Sequence, residues 1–203
     1  MEIKLTHTGK RFNRDWIFRD VNILFTSSHK YAIIGSNGSG KSTLLQIISG
    51  ALLQSEGLVE FYINGKKIED TSFYKNISIA APYLDLIEEM TTYELLSFHH
   101  QFKPLTHPIS QILEEVGLTT ARNKEIRFFS SGMKQRLKLA LAFFSDTSIL
   151  LLDEPTTNLD QAGTKLYHEL INKYSKDRLV IVSSNDEKEY SFCNQLISIE
   201  SYK

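Results

Sequence analysis

The stretch Gly35-Ser36-Asn37-Gly38-Ser39-Gly40-Lys41-Ser42-Thr43 decides how the rest of this chain is read. It fits the pattern G-x-x-x-x-G-K-[ST], and its flanks supply the context that pattern needs. The apolar run Tyr31-Ala32-Ile33-Ile34 precedes it, and Leu44, Leu45, Ile47 and Ile48 follow at helical spacing. Strand, glycine loop and helix in that order make a cradle for phosphate. Glycines let the backbone turn its N–H groups inward as a nest for phosphate oxygens. The new helix adds free N–H groups and the positive end of its dipole. Lys41 is placed to reach the β- and γ-phosphates of a nucleotide, and the Ser42 hydroxyl to sit on Mg²⁺. A flexible Gly/Ser linker would share this composition, but apolar elements would not clamp it on both sides.

The chain has 203 residues, enough for one sizeable core with a small inserted subdomain. Hydrophobic residues make up 41% and charged residues 23%, the balance of a globular protein. A formal net charge of -1 gives no reason to expect nucleic acid as a main partner. One cysteine, Cys193, excludes an intrachain disulfide and fits a reducing, cytoplasmic compartment. Met1-Glu2-Ile3-Lys4 lacks the apolar core of a signal peptide, and no stretch approaches the ~20 apolar residues of a membrane span. Association with a membrane is therefore expected only through a partner.

Upstream of the loop, Ile3 and Leu5 alternate with polar neighbours, and Ile17-Phe18 and Val21 to Phe25 read as further strands. With Tyr31–Ile34 they predict a small β-rich lobe leading into the phosphate loop. Phe12 and Trp16 lie between them in a basic neighbourhood, where an aromatic either stacks on a base or serves a core or strand edge. Downstream, Lys41 to Ser49 reads as a helix closed by Gly50. Leu58 to Ile63, Asn64-Gly65 and Lys66 to Ile68 make a hairpin. Asn76 to Ala81 is a short apolar run stopped at Pro82.

From Leu84 the pattern turns helical. Thr91 with Glu94 three residues on is a capping box before Leu95 and Leu96, and Ser110 to Val116 forms a second helix ended by Gly117. Ser131 to Phe144 is strongly periodic, with Met133, Leu137, Ala140, Leu141 and Phe144 on one face. The expectation is an all-helical insertion at about residues 84–147 within a single domain spanning 1–203. Ile149 to Leu152 and Leu179 to Val182 are uninterrupted apolar runs, strands buried on both faces. Thr164 to Tyr174 and Asp186 to Phe192 read as helices and Gln195 to Ile199 as a last strand. The fold class predicted is α/β: a P-loop nucleotide-binding fold with a mostly parallel sheet, an N-terminal antiparallel β lobe and an inserted α-helical subdomain.

A phosphate loop fits several enzyme classes, and Asp153-Glu154 narrows them. The pair ends a buried strand, at the sheet edge where ligands of open α/β sheets bind. Asp153 is positioned to hold Mg²⁺, and Glu154 to polarise an attacking water as general base. An acidic pair after a strand can also be a solvated turn or cap; here a phosphate loop already requires a metal partner. A GTPase is disfavoured, because no Asn-Lys-x-Asp guanine motif occurs: Asn172-Lys173 runs into Tyr174-Ser175.

The third motif is Phe129-Ser130-Ser131-Gly132-Met133-Lys134-Gln135-Arg136, a serine-glycine turn that opens a basic helix. With it the sequence resembles the ATP-binding cassette (ABC) ATPases over essentially its whole length. Ser130-Ser131-Gly132-Met133 fills the slot of that family's Ser-Gly-Gly-Gln signature, and Asn158-Leu159-Asp160 matches its D-loop. The resemblance implies ATP and Mg²⁺ as cofactors and ATP hydrolysis as the activity. It also implies a homodimer or a second cassette on ATP binding, in which Ser130, Ser131 and Gly132 serve ATP held by the partner's phosphate loop. Read only as a helix cap, Ser130-Ser131 needs no ligand. Phe12 takes the family's adenine-stacking position, with Trp16 as second choice.

Two departures touch the chemistry. The family carries a His after the strand that follows the D-loop; here Asn185 occupies that slot, and Asn cannot carry a proton or charge at neutral pH. The family's Gln before the helical insertion is absent from Ala80-Ala81-Pro82-Tyr83-Leu84, with Pro82 or Tyr83 in its place. The function implied is the nucleotide-binding subunit of a membrane transporter, in the style of exporters with separately encoded membrane subunits. It would lie at the inner face of the membrane against a permease subunit, with the apolar residues from about Tyr83 to Phe102 serving either as the docking groove or as the insertion's own core. The alternatives are a soluble cassette ATPase and a regulator with slow or negligible hydrolysis.

Overall fold

A computed structural model describes residues 1–68 and 73–203. Two sheets organise it. The first is antiparallel, in the order β2-β1-β4-β5, and comprises β1 (Glu2–Phe12), β2 (Asp15–Thr26), β4 (Glu56–Ile63) and β5 (Lys66–Lys67). The second has the order β6-β7-β8-β3-β9 and contains β3 (Lys30–Ile34), β6 (Ile77–Ala80), β7 (Ile149–Asp153), β8 (Leu179–Ser183) and β9 (Gln195–Ser198). Every pairing within it is parallel.

The antiparallel lobe corrects two sequence expectations. Ile17-Phe18 and Val21 to Phe25 belong to one strand, β2. Asp20 adopts φ 56 and the β1–β2 register shifts beside it, so the polar Arg19-Asp20 is an irregularity within the strand. Tyr31–Ile34 lies outside the lobe, in the parallel sheet between β8 and β9. Tyr31, Ala32 and Ile33 are all buried, as an interior parallel strand requires. The β4–β5 hairpin forms on Asn64 (φ 50) and Gly65 (φ 74), the two positive angles of a type I′ turn.

The described residues also form helices α1 (Lys41–Ile48), α2 (Thr92–Phe102), α3 (Ile109–Glu115), α4 (Ser131–Phe144), α5 (Gln161–Tyr174) and α6 (Glu187–Tyr190). Gly50 follows α1 with φ 76. The capping box on α2 is complete: Glu94 N–H donates to the Thr91 hydroxyl at 3.3 Å, and Thr91 N–H donates to the Glu94 carboxylate at 2.8 Å. On α4 the buried surface is wider than the periodicity suggests. Leu139, Ala142 and Phe143 are buried beside Leu137, Ala140 and Phe144, while Met133 and Leu141 are half-buried. The helix packs against β6 and β7 as well as α2, α3 and α5, so one apolar face does not suffice.

The strands alternate as a two-sided sheet must. Leu150, Leu152, Val180 and Val182 face a core made with α2 to α5. Ile149, Leu151, Leu179 and Ile181 face a second core, shared with α1 and the antiparallel lobe. Both faces being sealed, the carboxyl ends of β3, β7 and β8 are where chemistry has room.

Candidate functional site

β3 delivers Gly35 and α1 begins at Lys41, so the glycine loop spans strand and helix as its motif demands. Gly40 is the N-cap, at φ 107, with no side-chain cap. A Cβ there would stand 2.5 Å from Ile17 Cγ2, so close packing of the lobe on the loop requires glycine. Lys41 is 4% exposed, and its Nζ donates to Gly35 O at 3.0 Å and Ser36 O at 3.1 Å. Beside it opens a cavity of about 210 Å³, lined among others by Asn37, Gly38, Ser42, Thr43 and Glu154. Ser39 lies beneath, buried, its hydroxyl without a hydrogen-bond partner among the described residues.

Asp153 ends β7 and is 1% exposed. Neither of its carboxylate oxygens has a hydrogen-bond partner among the described residues. Burial raises its pKa above the ordinary carboxylate value; the Ser183 and Ser42 hydroxyls and Lys41 oppose the rise, and Glu154 adds to it. A buried acid with open oxygens near a serine hydroxyl is a hard-oxygen donor set that fits Mg²⁺. That ion is ordinarily held by one or two protein oxygens plus substrate phosphates, so a dedicated cage of acids is not required. Glu154 follows at φ 42, its N–H on Ser183 O at 2.8 Å. That turned residue lines the same cavity as Lys41.

Three more residues come to this edge. Asn185, after β8, donates from Nδ2 to Asn37 Oδ1 at 2.9 Å, so it reaches the phosphate loop directly. Ile17 of β2 lines the cavity; on sequence it was only one apolar strand residue among several. Tyr83 follows β6, whose Ala80 pairs with Leu152. Burial and the Asp153 charge push the Tyr83 phenol well above its ordinary value, against a hydrogen bond with Gln46 of α1. Of the two residues in the slot of the missing Gln, Tyr83 is thus the one whose titration senses the Asp153 charge. Lys138 Nζ pins this turn on Ala81 O at 3.1 Å and Pro82 O at 2.9 Å.

Phe12 does not line the cavity. It sits at the turn end of the β1–β2 hairpin, 47% exposed, with Lys10 Nζ 5.0 Å from the ring centroid. Trp16 is engaged by guanidinium groups, Arg19 at 4.1 Å and Arg11 at 5.6 Å. Phe12 therefore has the freer ring face.

The serine-glycine turn forms a second cavity of about 480 Å³, bordered by Ser130, Ser131, Gly132, Arg136, Asn158 and Asp160. Ser130 caps α4, accepting from Met133 N–H at 3.2 Å, and Asp160 caps α5, accepting from Gly163 N–H at 2.8 Å. Arg136 approaches Asp160 at 3.4 Å. The cap reading of Ser130 is therefore correct as far as it goes, but the turn also opens a cavity. This second cavity shares no lining residue with the first.

A family model described as "ABC transporter" matches residues 18–157. The chain belongs to the ABC transporter family. It is an ATP-binding cassette protein, and the relatives agree. It is 30% identical over 190 residues to the uncharacterized ABC transporter ATP-binding protein YybJ of Bacillus subtilis, covering 92% of this chain and 86% of that protein. It is also 30% identical over 190 residues to the lantibiotic transport ATP-binding protein SrtF of Streptococcus pyogenes, covering 90% of this chain and 79% of that protein. Among solved structures, the dimeric structure of MJ0796, a bacterial ABC transporter cassette, shares the fold. Its TM-score is 0.82 at 24% identity, covering 98% of this chain and 95% of that one.

The cassette also shows how its loops are tied together. Glu189 of α6 is buried, and it accepts from Thr156 N–H at 2.7 Å and from the Thr156 hydroxyl. The segment carrying Asn185 is thereby fastened to the loop between Glu154 and Asp160. No helix among the described residues is long and apolar enough to cross a membrane.

Proposed function

We propose that this cassette binds Mg-ATP on Gly35 to Thr43 and hydrolyses it only when a second cassette closes over the nucleotide. The observation that carries this is the separation of two cavities on one chain, the phosphate loop lining one and the signature turn the other. Lys41 leaves its carbonyl partners to meet the β- and γ-phosphates, while Ser42 and Asp153 hold the metal. A magnesium ion held there supplies positive charge to the phosphate oxygens. Glu154 accepts the proton of the attacking water, and Asn185 donates a hydrogen bond at the γ-phosphate end. From the other cassette, the Ser130 hydroxyl and the N–H groups of Ser131 and Gly132 face the γ-phosphate, with Asp160 beside them. Phe12 supports the adenine.

The cassette then drives a membrane permease from the inner face of the membrane, as the transport names of its relatives suggest. Residues 84–147 act as a helical subdomain that meets it. Ile87, Phe98 and Phe102 are 40–64% exposed, whereas Leu95 and Leu96 supply the local core, so these apolar residues are free to dock. The test is Glu154→Gln, which retains ATP. Size exclusion with light scattering in Mg-ATP is expected to show a dimer; a monomer at saturating nucleotide would refute the reading.

A second reading, a regulator that turns over slowly, is favoured by one observation: Asn185 stands where the family has a titratable ring. Steady-state ATPase activity in membranes containing the permease separates the two.

A further inference from the structure

The phosphate loop is also held from outside. β3 and β9 run parallel with Ile34 opposite Ser198, so the turn after β9, Ile199–Tyr202, lies against the start of the loop. Ile199 is fully buried, and its Cγ2 stands 2.9 Å from where a Cβ on Gly35 would be. Next to it, Glu200 Oε1 accepts from Ser36 N–H at 3.0 Å and from the Ser36 hydroxyl at 2.7 Å. Lys41 holds the other polarity of the same segment through the Gly35 and Ser36 carbonyls.

These two ties differ in what nucleotide binding does to them. Two of the three ammonium donors of Lys41 are engaged on loop carbonyls. As Lys41 turns to phosphate, that tie weakens, and the Glu200 tie remains. The backbone N–H and hydroxyl of Ser36 hold the Glu200 carboxyl below its ordinary value, with Lys203 and Lys41 adding to the effect. The carboxylate is therefore ionised at neutral pH, and its hydrogen bonds are charge-assisted.

We propose that Glu200 is a positioning residue of the nucleotide site, holding Ser36 so that the mouth of the loop keeps the shape that receives phosphates. The proposal rests on the assignment of ATP to this loop. Two measurements test it on the full chain: titration with a fluorescent ATP analogue in Mg²⁺, and hydrogen exchange of the nucleotide-free protein. Glu200→Ala is expected to weaken nucleotide binding roughly fivefold to tenfold and to speed exchange in the segment 34–40, with core strands unchanged. Glu200→Gln keeps an acceptor oxygen and is expected to restore both readouts to within roughly threefold of wild type. Wild-type affinity and exchange in Glu200→Ala would overturn the proposal. So would a Glu200→Gln variant as impaired as Glu200→Ala, or faster exchange throughout the parallel sheet, which would make Glu200 a general stabiliser. If wild type itself fails to bind the analogue, the ATP assignment falls, and the exchange arm still decides whether Glu200 holds the loop.

Discussion

Asp153→Asn should make the nucleotide-free protein more stable while removing its response to Mg-ATP. The wild-type carboxylate is 1% exposed with both oxygens unpartnered among the described residues, and burial raises its pKa. A raised folded pKa means that the native state binds more protons than the unfolded state between 3.8 and that pKa. Stability therefore falls as pH rises through the window and stays reduced above it. Asn removes the charge, and its amide is offered the Ser183 hydroxyl, itself buried without a partner. Relief of one uncompensated buried polar group contributes about 2 kcal/mol, which for a chain of this size is a Tm rise of about 4–8 °C at neutral pH. Ligand at a hundredfold excess over its Kd adds about 2.7 kcal/mol to the wild type. Thermal unfolding of both proteins with buffer, ATP plus EDTA, and ATP plus Mg²⁺ measures both effects. Asp153→Asn should start higher and gain no more with Mg²⁺ than with EDTA. A variant less stable than wild type without nucleotide, or one that keeps the Mg²⁺-dependent shift, would refute the reasoning.

Asn185→His restores a titratable ring beside the phosphate loop, and steady-state ATPase turnover should rise at least roughly tenfold; no gain would show that Asn37–Asn185 does not limit the rate. His99 is pushed down to about 4, chiefly by burial, with Lys103 and His100 adding, and its Nε2 bonds Ser145 Oγ at 2.7 Å. The unfolded chain protonates first as pH drops below 6.5, so the stability His99 contributes above 6.5 is lost by about pH 4. In urea unfolding, His99→Gln should lose about 2 kcal/mol less than wild type between those limits, water around part of the ring reducing the full linkage difference. Equal losses would contradict that.

Local chemistry was legible in the sequence; long-range pairing was not. Gly35 to Thr43 announces itself because the turn, the helix start and the lysine all lie within one short stretch. The Thr91–Glu94 box and the Asn64-Gly65 turn are equally local, and each forms as read. Tyr31–Ile34 reads as a strand, but an apolar run does not say which neighbours it pairs with, and the strand lies in the parallel sheet. Those neighbours, β8 and β9, lie far away in sequence. For the same reason the approach of Ile17 to Gly40 and the Glu200–Ser36 tie carry no sequence signal, whereas Asn185 had one, its place in the slot of the family's His. Tyr83 had a weak one, its place in the slot of an absent Gln. That Ser130 to Gly132 border a cavity apart from the one at the phosphate loop is likewise a matter of tertiary packing.

In the proposed dimer, one ATP is held between the phosphate loop of one cassette and the signature turn of another. Mixing two inactive chains tests it most directly. Lys41→Ala leaves the signature intact, and Gly132→Asp leaves the phosphate loop intact; a Cβ on Gly132 already approaches Asn158 O at 3.1 Å, so the larger side chain fills that turn. Neither variant alone can assemble a working site in a homodimer. The mixed dimer contains one site with both intact halves, so ATPase activity should appear on mixing and saturate with the fraction of mixed dimer. Mixed dimers that form and remain inactive, or activity in either variant alone, would contradict it.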